Sequence, residues 1–241
     1  MLAPSIQFSG QMRLGDTTSI GPLTLDIPSA EWTCLLGASG VGKTTLLRLL
    51  AGLNNEIEFD GLISTNDGHS LAPRVTLMAQ SDMLLPWLDV LANVTLGAGL
   101  RGERKDIDRA HQVIDRVGLS PHINKKPTAL SGGQKQRAAL ARTLMEDQPV
   151  VLLDEPFSAL DAVTRAEMQE LAAQVLRGRT VLLVTHDPAE AARLGHSIQI
   201  MKTTGITPFA PPSGPPPRGL DDFEALAVQS RLLALLREMT E

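Results

Sequence analysis

Short apolar stretches broken by Gly, Pro and Asp occupy the first 36 residues and are typical of strands. They predict strands at residues 6–8, 23–27 and 32–36. Directly after the third strand, leucines recur at helical spacing and predict a helix over 44–50, with Gly52 where a helix usually stops. The order strand, glycine-rich turn and helix is therefore predicted near the start of the chain.

Two later segments, 150–153 and 180–184, are apolar at nearly every position. Such runs are typical of strands covered on both faces, as in parallel sheets. Residues 161–177 carry their apolar side chains at helical spacing, and Asp187-Pro188 is typical of an N-cap followed by a first-turn proline. These patterns predict an α/β fold with a parallel sheet.

The middle and the end of the chain have other patterns. Helical spacing over 107–117, with a further helix after Gly133, predicts a helical subdomain. Prolines crowd residues 208–217 and predict an extended linker without helix or strand, so the α/β core should end near Lys202. A final amphipathic helix is predicted from the spacing of Ala225, Val228, Leu232, Leu235 and Met239.

The composition, 43% hydrophobic and 20% charged residues, is that of a folded globular protein. A net charge of -5 gives no basic field to hold a phosphate backbone, which argues against nucleic acid as a partner. Cys34 is the only cysteine, so an internal disulfide is excluded. No apolar run reaches the roughly eighteen residues of a membrane span, so any membrane attachment should come through a partner.

A glycine-rich loop lies between the predicted strand at 32–36 and its helix. It matches the phosphate-binding P-loop (Walker A) pattern with Gly37, Ala38, Ser39, Gly40, Val41, Gly42, Lys43 and Thr44. Glycines let consecutive backbone N–H groups curl around phosphates, and the helix adds its positive end. In this pattern Lys43 reaches the β- and γ-phosphates, Thr44 places its hydroxyl on Mg²⁺ and Thr45 is positioned for the α-phosphate.

A P-loop alone leaves kinases, GTPases and motor proteins open, and later motifs narrow the choice. Segment 130–137, Leu-Ser-Gly-Gly-Gln-Lys-Gln-Arg, resembles the signature of the ATP-binding-cassette (ABC) superfamily. Segment 150–155, Val-Val-Leu-Leu-Asp-Glu, follows at the expected distance. Gln80 resembles the Q-loop glutamine, residues 158–161 the D-loop and His186 the switch histidine, so the resemblance extends to about residue 202.

This resemblance implies an α/β fold with a P-loop NTPase core, a mainly parallel sheet, an N-terminal antiparallel β subdomain and an inserted helical subdomain. We expect an ABC ATPase domain over 1–205, with the helical subdomain at about 82–148. A Pro-rich linker over 206–220 and the C-terminal amphipathic helix over 221–241 would follow.

The same resemblance assigns catalytic roles around one γ-phosphate. Asp154 would hold Mg²⁺ through its water shell, together with Thr44. Glu155 would act as general base on the attacking water. His186 would contact the γ-phosphate, and Gln80 would contact both metal and water. An ATPase with ATP as substrate and Mg²⁺ as cofactor is therefore expected.

A further group of residues is expected to contact nucleotide bound by a second copy of the chain. Ser131, Gly132 and Gly133 begin a helix and expose N–H groups at its positive end. In the family this end faces the other subunit's nucleotide, which implies a homodimer that encloses two ATP molecules. Gln134 and Asp161 belong to the same implied nucleotide-binding set.

The segment from Ser81 to Asn93 presents Met, Leu, Trp and Pro, and on composition alone it could equally be core. The resemblance implies contact with integral membrane permease subunits here. Leu85-Pro86-Trp87 resembles importers of nitrate, sulfonates, taurine and the pyrimidine precursor of thiamine, which adds a solute-binding protein as an indirect partner. A peripheral subunit at the cytoplasmic face of the inner membrane is expected.

The motifs are also compatible with other classes of protein. An ABC exporter shares them, although exporters commonly fuse this domain to membrane helices. A non-transport ABC ATPase of DNA repair or translation also shares them, although such proteins generally carry paired cassettes, coiled-coil insertions or basic arms. A non-hydrolysing nucleotide switch is disfavoured by Glu155 and His186.

Leu14 departs from the family pattern. An aromatic residue usually stands near this position and stacks on adenine, and the chain has no Tyr at all. Without that π surface we predict weaker selectivity for the base.

Overall fold

A computed structural model of the chain describes residues 3–14, 18–53 and 57–239, except for the side chains of Leu14 and Thr18. The strands are β1 (Ile6–Leu14), β2 (Thr18–Ile27), β3 (Trp32–Leu36), β4 (Ile57–Thr65), β5 (Val75–Met78), β6 (Val150–Asp154), β7 (Thr180–Val184), β8 (Ser197–Lys202) and β9 (Gly205–Phe209). The α-helices are α1 (Lys43–Leu50), α2 (Val90–Val94), α3 (Leu96–Leu100), α4 (Ile107–Arg116), α5 (Gly132–Met145), α6 (Ala162–Val175), α7 (Pro188–Leu194) and α8 (Phe223–Glu238).

The chain divides into two compact units. The first consists of Met1–Leu77, Pro149–Glu155 and Arg177–Glu241, and the second of Met78–Gln148 and Pro156–Leu176. The second unit is helical, as expected for the middle of the chain. It begins a few residues before the predicted position 82, and it also takes in α6, which lies beyond the predicted end at 148.

The first unit opens with a three-stranded antiparallel sheet in the order β2-β1-β4. Every second residue of β1 and β2 is buried along part of each strand, as in Ile6 and Phe8 or Leu23, Leu25 and Ile27. This alternation places one face of the sheet on the core. The antiparallel N-terminal β subdomain is therefore confirmed.

The second sheet has six strands in the order β5-β6-β7-β3-β8-β9. Strand β3 pairs in parallel with β7 and β8, β6 pairs in parallel with β7, and β9 pairs antiparallel with β8. Every residue of β3, β6 and β7 is buried, which explains their continuous apolar sequence. Because these three strands are adjacent and parallel, their carboxyl ends meet at one edge, where α/β sheets commonly bind ligands.

The prediction that residues 208–217 form neither strand nor helix is wrong at its start. Pro208 lies in β9, opposite Gln199 of β8. Strand β9 lies at the edge of the sheet and has a neighbouring strand on one side only. On its open side, the missing N–H of a proline interrupts no hydrogen bond between strands. Further along the predicted linker, Arg218 is buried.

The C-terminal helix α8 begins after Asp222, whose side chain accepts a hydrogen bond from the backbone N–H of Ala225. The predicted apolar side is buried at Ala225, Val228 and Leu232. Helix α8 packs against α7. Among the residues that the structure describes, no helix is both long and apolar enough to cross a membrane.

Candidate functional site

The glycine-rich loop lies between β3 and α1, as predicted. Gly42 precedes the helix with a φ of 106°, in the left-handed region that favours glycine. A Cβ atom on Gly37 would lie 2.6 Å from the carbonyl oxygen of Met201, and one on Gly42 would lie 2.5 Å from Ile20 Cδ1. A side chain at position 37 would therefore clash with backbone, and one at position 42 would be strained by the positive φ.

Lys43 is the first residue of α1 and its side chain is buried against the loop. Its Nζ donates hydrogen bonds to the carbonyl oxygens of Gly37 at 2.8 Å and Ala38 at 3.0 Å. Burial lowers the pKa of Lys43, while the negative charges of Glu155 and Asp154 act in the opposite direction. An ammonium group held inside the curve of the loop is suited to bind phosphate oxygens.

Thr44 and Asp154 bring two oxygen groups together beside the loop. Asp154 ends β6, and its Oδ1 accepts a hydrogen bond from Thr44 Oγ1 at 3.2 Å. Burial raises the pKa of Asp154, and the hydrogen bond from Thr44 opposes this shift. A hydroxyl and a carboxylate are the hard oxygen ligands that Mg²⁺ uses next to phosphates, so these residues fit the implied metal.

Glu155 and His186 form a pair at the same edge of the sheet. Glu155 follows β6 and His186 lies two residues after β7, so the parallel pairing of these strands brings them together. The distance from His186 Nδ1 to Glu155 Oε2 is 2.9 Å. Glu155 has a φ of 45° and donates its backbone N–H to the carbonyl oxygen of Val184. A non-glycine residue in this region is strained, and such strain is common at functional positions.

The second unit carries the segment predicted as a signature. Ser131 is the N-cap of α5, and it forms a capping box with Gln134 in which each side chain accepts a hydrogen bond from the other residue's backbone N–H. Gly132 and Gly133 form the first turn. A Cβ atom on Gly133 would lie 2.5 Å from Thr164 Cγ2 of α6, so this turn also excludes a side chain.

Three other predicted residues are placed as follows. Gln80 is exposed two residues after β5, in the second unit. Asp161 is the N-cap of α6 and its Oδ1 accepts hydrogen bonds from the backbone N–H groups of Val163 and Thr164. The side chain of Leu14 lies outside the described residues, so the expectation about adenine is untested.

Two polar residues near the predicted site residues, Glu190 and His122, are not among those predicted from the sequence. Glu190 is buried and accepts a hydrogen bond from Thr185 Oγ1, next to His186. His122 Nε2 lies 3.0 Å from Gln134 Nε2. Only Glu190 carries a local signal, because it stands three residues after the N-cap Asp187, the spacing of a capping box.

A buried strand, a glycine-rich loop and a helix that begins with Lys43 and Thr44 define a P-loop nucleotide-binding protein. Residues 20–158, more than half of the chain, match the family described as ABC transporter. The chain therefore belongs to the ABC transporter family, as its motifs predicted.

Individual relatives agree with this assignment. An ABC transporter ATP-binding protein of Haemophilus influenzae, described as uncharacterized, is 42% identical over 236 residues, which cover 95% of this chain and 94% of that protein. The aliphatic sulfonates import ATP-binding protein SsuB 1 of Rhodococcus jostii is 45% identical over 81% of this chain and 78% of its own length. SsuB of Yersinia pestis bv. Antiqua is 45% identical over 92% of this chain and 81% of its own length.

Proposed function

We propose that this chain hydrolyses ATP to drive the import of a small solute through separate membrane permease subunits. The observation that carries the proposal is the Glu155–His186 pair, 2.9 Å apart at the carboxyl ends of β6 and β7, of which β7 is paired with the P-loop strand β3. A carboxylate held by an imidazole beside a phosphate-binding loop is suited to remove a proton from an attacking water.

This geometry and the family resemblance support the following roles. The loop from Gly37 to Thr45 and the ammonium group of Lys43 bind the phosphates. Thr44 and Asp154 hold Mg²⁺, which supplies neutralisation of phosphate charge when it is bound. Glu155 accepts the proton of the attacking water, and His186 orients its carboxylate. Gln80 would contact the metal and the water, a role that rests on the family resemblance alone.

A second copy of the chain completes the proposed site. The first turn of α5, with Ser131, Gly132 and Gly133, presents N–H groups to the nucleotide of the other copy in a homodimer. Gln134 and Asp161 contribute by capping the helix starts at which they stand, because their side chains accept backbone N–H hydrogen bonds there.

Import, and the class of solute, rest on the relatives and on one short segment. Two of the relatives above are named as aliphatic sulfonates import proteins, and Leu85-Pro86-Trp87 resembles the same group. We infer a sulfonate, taurine, nitrate or thiamine-precursor importer, with a solute-binding protein as indirect partner and the chain at the cytoplasmic face of the membrane. Uptake of each labelled solute by a deletion strain, with and without the restored gene, distinguishes these classes.

The proposed contact with the permease is a rigid segment that exposes apolar side chains. Met83 is 62% exposed and Trp87 is 65% exposed. The backbone beneath them is fixed, because Asn93 is fully buried and its side chain bonds to both backbone groups of Leu85. Arg142 also donates to the carbonyl oxygen of Met83. Exposed apolar side chains on a fixed backbone are suited to bind a partner helix with little loss of entropy.

The Glu155→Gln substitution tests the catalytic proposal. It removes the base but keeps the phosphate-binding loop, so we expect ATP hydrolysis by the full-length chain to fall about 100- to 10,000-fold while the affinity for ATP is retained. Glu58→Gln is the matched control, since Glu58 is exposed on β4. Undiminished hydrolysis by the Glu155 variant would exclude Glu155 as the base.

The Trp87→Ala substitution tests the permease contact. We expect solute transport and co-purification with the permease to fall, with a loss of about 2 kcal/mol or more in binding free energy if Trp87 is a central anchor. ATP hydrolysis by the isolated chain should not change. Leu100→Ala is the control, because Leu100 is an exposed apolar residue of the same unit outside this segment. Equal co-purification of the two variants would argue against the contact.

A further inference from the structure

The segment predicted as a linker contains a buried arginine that bonds only to backbone carbonyls. Arg218 is 5% exposed. Its Nη1 donates to the carbonyl oxygens of Ala192 and Gly195, both at 2.9 Å. Its remaining donors reach the carbonyl oxygens of three residues in its own segment, Pro212 at 2.8 Å, Gly214 at 2.9 Å and Ser213 at 3.3 Å. All five N–H donors of the guanidinium are therefore used.

Two of these acceptors stand at the C-terminal end of α7. The last carbonyls of a helix have no partner within it, and a positive charge there also interacts favourably with the helix dipole. The contact is reciprocal, since the backbone N–H of Arg218 donates to the carbonyl of Arg193 and Arg193 Nε donates to the carbonyl of Arg218, both at 3.0 Å. The end of α7 is thereby fixed to the C-terminal segment.

The other end of α7 holds the loop that carries His186. Glu190, on the first turn of α7, accepts a hydrogen bond from Thr185 Oγ1 at 2.6 Å. The same Thr185 oxygen accepts the backbone N–H of Asp187 at 3.0 Å. Thr185, which precedes His186, is thus hydrogen-bonded to Glu190 of α7. Asp187, which follows His186, is hydrogen-bonded to Thr185. A displacement of the helix would move His186 relative to Glu155.

We propose that Arg218 is a positioning residue for His186, acting through α7. The proposal rests on the function inferred above for the Glu155–His186 pair. Helix α8 buries its own apolar side chains, Ala225, Val228 and Leu232. The hydrogen bonds of the Arg218 guanidinium are therefore not needed merely to attach that helix. Two of the five guanidinium hydrogen bonds hold the C-terminal end of α7, and the other three hold Arg218 within its own segment.

Two substitutions of Arg218 test the proposal. Arg218→Met removes every donor, and Arg218→Lys keeps the charge but has only three donors and no planar fork. Because small misplacements of reacting groups can cost about 100-fold, we expect kcat for ATP hydrolysis to fall about 10- to 100-fold in both. The KM for ATP should change less than about twofold, since the Lys43 ammonium group is held by the carbonyl oxygens of its own loop, Gly37 and Ala38. Arg237→Met is the control, as Arg237 is an exposed residue of α8.

A spectroscopic readout separates positioning from general destabilisation. The ring C2–H resonance of His186, assigned by its loss in His186→Ala, should shift or broaden in both Arg218 variants. The resonance of His69, which is exposed in the β4–β5 connection, should not move. An unchanged kcat, or a lower kcat with an unmoved His186 resonance, would overturn the proposal. Should Arg218→Met fail to fold, Arg218→Lys decides by the same two measurements.

The proposal can fail separately from the function on which it rests. If His186→Ala hydrolyses ATP at the normal rate, the role of His186 is wrong, and the role of Arg218 falls with it. If His186→Ala is defective while both Arg218 variants are normal in kcat and in the His186 resonance, only the positioning role is wrong.

Discussion

Burial disfavours the charged forms of both Lys43 and Asp154 in the candidate phosphate site. It lowers the pKa of Lys43 and raises the pKa of Asp154. The ionised form of each is therefore less favourable in the fold than in water, although the opposite charges offset part of this cost. Bound phosphates and Mg²⁺ would supply the missing charge partners. At the scale of single residues, the site is arranged for a ligand more than for stability.

The Asp154→Asn substitution tests this cost. Because the folded state raises the pKa of Asp154, the carboxyl group favours folding when protonated and loses that contribution as pH rises through the folded pKa. We expect the nucleotide-free Asn variant to melt at a higher temperature than the wild type at pH 7. The difference should shrink as the pH approaches about 4, where aspartate protonates. ATP hydrolysis should be lost.

Thermal denaturation at several pH values provides the measurement. Asp60→Asn is the control, since Asp60 is exposed on β4 and should show no such difference. A lower melting temperature of Asp154→Asn at pH 7 would mean that the hydrogen bond from Thr44 outweighs the cost of burial.

At the scale of elements, three helix starts belong to the proposed nucleotide site. Helix α1 begins with Lys43, and α5 and α6 are capped by Ser131 and Asp161. Helix N-termini combine free N–H groups with the positive end of the dipole, which suits anions. Ser131 caps α5, and its second, proposed role is to leave room for a phosphate of the other copy.

Substitutions of Ser131 separate these two roles. Ser131→Ala removes the cap and should lower the free energy of unfolding by about 0.5–2 kcal/mol in urea titrations. Ser131→Asn and Ser131→Asp both keep a capping side chain, so both should retain stability. Only the aspartate places a negative charge where the γ-phosphate of the other copy would bind. ATP hydrolysis should thus be much lower in Ser131→Asp than in Ser131→Asn, and equal rates would contradict the proposed contact.

At this scale the sequence predicts well those strands, helix starts and loops that their own residue pattern identifies. Strands β3, β6 and β7 are buried on both faces, so their apolar runs mark them, and Asp187-Pro188 marks the start of α7. Glycine spacing identifies the P-loop because Gly37 lies close to the backbone of Met201, and Gly40 and Gly42 have positive φ angles that favour glycine. The fold class and the family follow from these features, and both are confirmed.

What the sequence does not predict are contacts between residues distant along the chain. Arg218 stands in a proline-rich segment typical of a linker, and nothing local indicates that it is buried against α7. Asn93 and Arg142 hold the segment around Met83 from two different helices. A buried polar side chain is satisfied by its surroundings in three dimensions, so neither periodicity nor composition identifies it.

At the scale of the whole molecule, the proposed chemistry is divided between the two compact units. The first carries the P-loop, the proposed metal-binding pair of Thr44 and Asp154, and the Glu155–His186 pair. The second carries the capped start of α5 and the segment proposed to bind the permease. Within the family, the signature end of one copy faces the nucleotide of the other. ATP would then hold two chains together, and hydrolysis would release them.

The mass of the Glu155→Gln variant with nucleotide tests this central claim most directly. The substitution stops hydrolysis but keeps the phosphate-binding loop, so ATP should accumulate at the interface. With saturating ATP and Mg²⁺, light scattering should give twice the chain mass of 25.8 kDa, and with ADP it should give 25.8 kDa. A mass of one chain with ATP, together with a single copy in the permease complex, would contradict the account.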